Sequence, residues 1–228
     1  MTPTQLRNSI LQYAMEGKLV KQDPNDEPAS VLLTKIKDEK EQLIKEKKIK
    51  PTQLPEITED EIPYQIPDSW QWVRLEDVSI IIMGQSPKKG LVTDGIADND
   101  HYEFHQGKSF FGKKYLNQSS KITTVSNKLI FPENIVMSVR APVGDVNLTK
   151  NPIIIGRGLA GIISIKVKIK YLFYFLNTQK ENLEKKSTGS TFKAINSKIT
   201  KNILVPLPPL AEQQRIVAKI EKIFAKLH

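Results

Sequence analysis

A proline run that hands directly to an amphipathic helix constrains this chain more than any other feature: Pro206-Leu207-Pro208-Pro209-Leu210-Ala211-Glu212-Gln213-Gln214-Arg215. Proline lacks the N–H that a strand ladder or helix interior needs, so residues 206–209 stop the strand-like segment before them. A helix starts at once. In it Ile216, Ile220, Ile223 and Leu227 are spaced four, three, four, with Val217 and Phe224 beside them. That a/d spacing lasts for only about two heptads. The seam is too short to stand alone as a coiled coil. It must pack on Leu6 and Ile10 near the N-terminus, on another chain, or on both.

Residues 2–19 are expected to be helical, with Leu6, Ile10, Tyr13 and Ala14 on one face and Gly17 as the stop. A second helix is expected over 30–48, carrying Leu33, Ile36 and Leu43 on one side. Pro51, Pro55, Pro63 and Pro67 then mark an extended linker. Beyond Trp70, β-branched and apolar runs punctuated by Gly and Pro predict strands over 78–83, 128–131, 135–140, 143–148, 152–155 and 161–167. One helix is expected over 168–185, and residues 191–203 read as a loop leading to a short strand. The fold class is α+β: a mainly β domain over 70–205, an N-terminal helical part over 1–50, a proline-rich linker over 51–69 and a C-terminal helix over 206–228.

Charge sharpens this division. The net charge is +9, yet residues 1–70 hold 10 Lys/Arg against 13 Asp/Glu, and residues 71–205 hold 20 against 10. The middle of the chain carries the basic excess, as a domain facing a polyanion would. Cysteine is absent, which excludes disulfides and thiolate metal sites and fits a cytoplasmic setting. No run is long enough for a membrane-spanning helix, and no signal peptide is expected.

Motifs for catalysis are weak. Gly156-Arg157-Gly158-Leu159-Ala160-Gly161 has the letters of a dinucleotide turn, but it runs into the strand-like Ile162-Ile163-Ser164-Ile165 where a helix is required. It reads better as a glycine turn presenting Arg157. His101 and His105 are four apart without a helical register, so polar loop residues are the default and no metal site is assigned. Asp68 with Glu184-Lys185-Lys186 imitates a nuclease, and Asn151-Pro152-Ile153 lacks the second proline and aromatic of an amino-methyltransferase pocket. No catalytic residue is assigned.

Four loop clusters mix basic, small polar and aromatic residues: residues 84–90, 106–115, 138–145 and 187–193. Lys and Arg neutralise phosphates, Ser/Thr and glycine N–H groups donate to phosphate oxygens, and Gln or Arg can pair with purine edges. The plainer reading is that the glycines make turns, Phe110, Phe111 and Phe192 fill core, and the lysines solubilise.

The segment PLPPLAEQQRIVAK over 206–219 resembles the signature that opens the helical connector in specificity (S) subunits of type I restriction–modification systems. Gly189-Ser190-Thr191-Phe192-Lys193-Ala194-Ile195 resembles the segment before that signature. Residues 137–145 with 155–160 resemble the body of a target recognition domain, and residues 4–20 with 63–72 resemble the segment leading into a second one. The resemblance implies a non-catalytic, DNA-binding subunit whose target recognition domain spans 70–205 and whose conserved-region helix spans 206–228. It implies partners as well: double-stranded DNA, a modification subunit carrying S-adenosylmethionine, and a restriction subunit using ATP. No cofactor is expected on this chain and no membrane association.

One recognition domain stands here where the family pattern has two. A homodimer, or pairing with a second specificity chain through Leu6, Ile10, Ile216, Ile220, Ile223, Phe224 and Leu227, is therefore expected to restore two-fold symmetry. For DNA contact the candidates are Lys88, Lys108, Lys113, Lys114, Arg140, Arg157 and Lys193, with Gln85, Gln106, Ser109 and Thr191 as polar partners. Two other readings compete: a recognition-domain fragment of a fused methyltransferase–nuclease, and a protein-binding inhibitor of the restriction complex.

Overall fold

The computed structural model describes residues 2–188 and 193–227. In chain order the first elements are α1 (Pro3–Met15), α2 (Ala29–Lys45), β1 (Gln71–Arg74), β2 (Ser79–Met83), β3 (Thr93–Asp94), β4 (Tyr102–His105), β5 (Lys121–Thr123) and β6 (Leu129–Ile130). There follow β7 (Ile135–Ser138), β8 (Val146–Leu148), β9 (Ile153–Ile155), β10 (Leu159–Ser164), α3 (Ile169–Thr178), α4 (Lys180–Lys186), α5 (Ser197–Lys201), β11 (Leu204–Leu207) and α6 (Leu210–Phe224). The α+β class expected from the residues is the one observed.

The chain forms two compact units: residues 1–80, 164–178 and 201–228 in the first, residues 81–163 and 179–200 in the second. Linear boundaries at 70 and 205 do not coincide with them, because non-local pairing decides membership. β1 pairs antiparallel with β11, from Gln71 opposite Leu207 to Arg74 opposite Leu204. That two-stranded sheet tolerates Pro206, since both of its strands are edges.

In the first unit, α1 opens with a capping box between Thr2 and Gln5. It closes at Gly17, whose φ of +72° suits glycine, with Gly17 N–H on the Ala14 carbonyl and Lys18 N–H on that of Tyr13. Helices α1, α3 and α6 pack together. Every residue from Tyr171 to Leu176 of α3 is buried, the mark of a helix surrounded by protein. Leu11, Ala14 and Met15 of α1 and Ile216 and Ile220 of α6 are buried with it. Proline-rich residues 51–69 are held in place. The buried Arg74 guanidinium donates to the Pro55 and Glu56 carbonyls at 2.8 and 2.9 Å and forks onto Glu61 at 3.1 and 2.9 Å.

The second unit contains a four-stranded sheet, order β2-β10-β7-β8, and a five-stranded one, order β3-β5-β4-β9-β6, in which β4 and β9 run parallel. Its core gathers Leu116, Ile130, Val136, Ile153, Ile155 and Leu159, with Ile82 and Phe111 packed on it. The helix expected over 168–185 is two helices, α3 ending at Thr178 in the first unit and α4 beginning at Lys180 in the second. The 191–203 segment, expected as a loop, contains α5. The second unit holds 15 Lys/Arg against 8 Asp/Glu, so it carries +7 of the net +9.

Candidate nucleic-acid interface

The turn from β9 to β10 passes from one sheet to the other within three residues, Gly156-Arg157-Gly158. Gly158 adopts φ +92°, a conformation that favours glycine, and the turn leaves Arg157 exposed. Hydrogen bonds draw the neighbouring loops onto it. Gly84 N–H bonds the Leu159 carbonyl at 2.8 Å, Gln85 N–H bonds that of Ile155 at 3.1 Å, and Gly156 N–H bonds that of His105 at 2.7 Å. Such close approach excludes a side chain at Gly84, where a methyl would stand 2.1 Å from the Gly156 carbonyl oxygen.

Side chains continue the link. Arg157 N–H donates to Ser86 Oγ at 3.2 Å, and the Ser86 hydroxyl donates to Gln106 Oε1 at 2.6 Å. Beyond β7, Val139 N–H bonds the Gly158 carbonyl at 2.9 Å. A methyl built on Gly158 would lie 3.7 Å from Arg140 Cδ and 3.7 Å from Gly107. Ala141 N–H bonds the Lys193 carbonyl at 2.9 Å. The structure thus brings together Gln85, Gln106, Arg140, Arg157 and Lys193 of the expected set. Ser86, the polar pivot of the cluster, was not among the expected contacts; its only local signal is its place beside Gln85 in a Gly/Pro-bounded loop.

Arg140, Arg157 and Lys193 are exposed and make no ion pair with the carboxylates of the described residues. Lys108 differs. It pairs with Asp145 at 2.5 Å, and Lys180 takes the other Asp145 oxygen at 2.7 Å. Burial pushes the Asp145 carboxyl up, but the two ammonium groups outweigh it and hold it below its ordinary value. Lys108, expected as a DNA contact, is therefore held against an internal carboxylate while its side chain stays partly exposed.

The remaining candidates lie elsewhere on the same unit. Lys88 and Lys113 are exposed, and Ser109 is exposed in the turn closed by Phe111 N–H on the Lys108 carbonyl. Lys114 is half-buried with its ammonium 5.9 Å from the Tyr115 ring. No bond joins Lys88, Lys113 or Ser109 to the Arg157 cluster among the described contacts. Thr191 and Phe192 lie outside the described residues.

The histidines are held separately. His101 Nδ1 meets Asp98 at 2.8 Å, and the buried His105 Nε2 meets Glu103 at 3.0 Å. Burial lowers the His105 pKa against the opposing pull of Glu103. Glu103 also accepts from Ser119 N–H at 2.9 Å and Asn151 Nδ2 at 3.3 Å, on the wall of a cleft of about 370 Å³. Among the described residues no three His, Asp or Glu converge as metal ligands.

In the first unit, the signature residues of α6 serve internal contacts. Glu212 accepts from Trp70 Nε1 at 2.9 Å and Gln22 Nε2 at 2.6 Å. Gln213 accepts Lys168 N–H at 2.9 Å and donates to the Pro208 carbonyl at 2.9 Å. Arg215 forks onto Asp26 at 3.1 and 2.6 Å. Ile216 and Ile220 are fully buried within the chain, which removes them from any subunit interface. Leu6, Ile10, Ile223, Phe224 and Leu227 are only half-buried. Phe224 sits between the Arg7 guanidinium, 4.9 Å away, and the Tyr174 ring, 6.0 Å away.

A basic unit with converging polar loops is thus joined in sequence to a unit whose α6 opens with Glu212-Gln213-Gln214-Arg215. Residues 67–228 match the family described as the type I restriction modification DNA specificity domain, and the chain belongs to that family. It is 41% identical over 163 residues to the putative type I restriction enzyme MjaX specificity subunit of Methanocaldococcus jannaschii, covering 70% of this chain and 37% of that protein. It is 31% identical to the EcoAI specificity subunit of Escherichia coli, covering 96% of this chain and 39% of that protein. Among solved structures, the HsdS subunit from Thermoanaerobacter tengcongensis superposes with a TM-score of 0.63 at 28% identity, covering 99% of this chain and 51% of that one. The chain thus spans about half or less of the relatives it matches.

Proposed function

We propose that this chain is a cytoplasmic, non-catalytic sequence-reading component of a type I restriction–modification complex, recognising one half of a bipartite target in double-stranded DNA. The carrying observation is the convergence of Gln85, Gln106, Arg140, Arg157 and Lys193 on the more basic unit, with three cations lacking carboxylate partners among the described residues. Cations without internal partners can displace condensed counterions from phosphate, so binding should weaken steeply with salt. Methyl transfer and cleavage fall to a modification subunit holding S-adenosylmethionine and a restriction subunit using ATP.

The half-buried apolar residues Leu6, Ile10, Ile223 and Leu227 offer a docking edge for the modification subunit, for a second copy or for a second specificity chain. A symmetric pair would read an interrupted palindrome, since protein symmetry imposes site symmetry.

The test is co-expression with a modification subunit, followed by mapping of methylated adenines. A single bipartite motif that changes when Arg157 and Gln106 are replaced supports the reading. Methyl incorporation by this chain alone, or duplex binding indifferent to salt, would overturn it.

A further inference from the structure

Asp145 stands at the base of the turn that carries Arg140. Ser138 N–H bonds the Asp145 carbonyl at 2.8 Å, and Gly144 N–H bonds that of Ser138 at 2.9 Å. Asp145 N–H donates to the Ser138 hydroxyl at 3.0 Å, and that hydroxyl donates to the Pro142 carbonyl at 2.7 Å. Asp145 is thus fixed against the end of β7 before its side chain is considered. The turn also rests on the start of α4, since a methyl built on Gly144 would lie 3.1 Å from Lys180 Cα.

The carboxylate reaches two further segments. Oδ2 accepts from Lys108, 37 residues earlier, at 2.5 Å, and Oδ1 accepts from Lys180, 35 residues later, at 2.7 Å. Lys108 follows Gln106 by two positions, in the turn closed by Phe111 N–H on its carbonyl. Lys180 opens α4, and the chain beyond α4 returns to the Arg140 turn. There Ala141 N–H bonds the Lys193 carbonyl at 2.9 Å, and Ile195 N–H bonds that of Val139 at 3.0 Å. The three segments carry Gln106, Arg140 and Lys193. A single carboxylate ties two of them to the third.

We propose that Asp145 is a positioning residue for sequence recognition, holding Lys108 and Lys180 at once so that Gln106, Arg140 and Lys193 keep one spacing against the duplex. The proposal rests on the DNA-reading function above and deepens it by naming the residue that sets that spacing. Phosphate contacts fix a protein's register on the duplex. Cations on independently moving turns grip DNA without selecting a sequence.

The sign of the effect separates positioning from charge. Asp145 is an anion on a basic unit, so electrostatics alone has its removal strengthen binding to any duplex. A positioning role has removal weaken binding to the selected motif.

The experiment measures affinity for the selected motif and for random duplex, using the full chain with its modification subunit. Asp145→Asn keeps the size of the side chain and loses its charge. Affinity for random duplex should hold or rise while affinity for the motif falls, lowering the ratio about tenfold, the cost of one misread base pair. Lys180→Gln should lower the ratio likewise. Combined with Asp145→Asn it should add little, as expected of two groups sharing one interaction. Asp145→Glu keeps the anion and should keep most of the ratio. The side chains of Asp145, Lys108 and Lys180 are 22%, 41% and 43% exposed, so the pairs contribute little to stability and the variants should fold. Should Asp145→Asn not fold, Lys180→Gln decides by the same ratio.

An unchanged ratio, affinity that rises equally on both duplexes in Asp145→Asn, or equal losses on both in Lys180→Gln overturns the positioning role and leaves the DNA-reading function standing. A motif lost as fully in Asp145→Glu as in Asp145→Asn does the same. A wild-type complex that selects no motif overturns both.

Discussion

Glu212 accepts the indole N–H of Trp70 at 2.9 Å, joining the start of α6 to a residue 142 positions earlier in the chain. Both side chains are buried, and Gln22 supplies a second donor to the carboxylate at 2.6 Å. The signature glutamate therefore ties the start of α6 to the segment before β1 and to the turn after α1. Burial raises its pKa above the ordinary carboxylate value, outweighing the two hydrogen bonds that favour ionisation.

A pH dependence with a definite sign comes from that shift. A carboxyl whose folded pKa exceeds its unfolded one contributes stability that is present below the unfolded value and lost as pH rises through the folded value. Glu212→Gln keeps an acceptor for Trp70 and should flatten the dependence in urea melts between pH 4 and pH 7. Glu212→Ala leaves the indole N–H buried without a partner and should lower stability by about 1–3 kcal/mol. Greater stability of the wild type at higher pH across that interval would show that the carboxylate is favoured as the anion.

Arg140 and Lys108 carry the same charge in different circumstances. Arg140 is exposed without a carboxylate partner among the described residues, while Lys108 shares Asp145 with Lys180. Arg140→Ala should weaken binding to both the selected motif and random duplex and lower the slope of log affinity against log salt by about 0.9, one phosphate contact. Lys108→Ala should lower that slope by less, and should show more of its effect as lost thermal stability. Equal drops in slope would place Lys108 on a phosphate.

What was legible in the residues was local. Gly17 ends α1 through its own backbone conformation, and the four-three-four spacing fixes the apolar face of α6. The glycine turn presenting Arg157 follows from a motif that runs into a strand. The missing part was non-local. Nothing near Lys108 announces Asp145, 37 residues on. The β1–β11 pairing that assigns residues 70–80 and 201–207 to the first unit is invisible to periodicity. A continuous helical pattern over 168–185 hid the break at Gln179, because α4 continues in helical composition while its residues belong to the other unit. Strands β3 and β5 are two and three residues long, too short to show alternation.

Two glycines in the Arg157 cluster separate backbone strain from steric exclusion. Gly158→Ala meets only ordinary contacts, 3.7 Å from Arg140 and Gly107, so its penalty is the positive φ, about 1–2 kcal/mol. Gly84→Ala places a methyl 2.1 Å from a backbone oxygen, which has no flexible end to move aside. It should destabilise the second unit by about 1–3 kcal/mol through forced backbone shifts. It should also separate Gln85 and Ser86 from the Arg157 turn, so motif selection fails at temperatures where the fold still holds. Urea melts and duplex selection on the same samples distinguish the two, and full selectivity in a destabilised Gly84→Ala would mean that the loop does not need its anchor.

Along α6 the same apolar seam divides into buried and half-buried parts. Ile216 has no exposed surface within the chain, while Ile223 and Leu227 are half-buried near its C-terminal end. Ile216→Ala should cost about 2–5 kcal/mol, the loss expected when a buried isoleucine leaves a cavity between packed helices. It should act on the isolated chain as strongly as on any complex. Ile223→Asp retains the internal packing of Ile216 and Ile220 but sets a charge where a partner's apolar surface would have to desolvate it. The isolated chain should then melt close to wild type, whereas co-purification with the modification subunit, or self-association in sedimentation, should fail. If Ile223→Asp assembled as well as wild type, the docking edge would have to lie away from the end of α6.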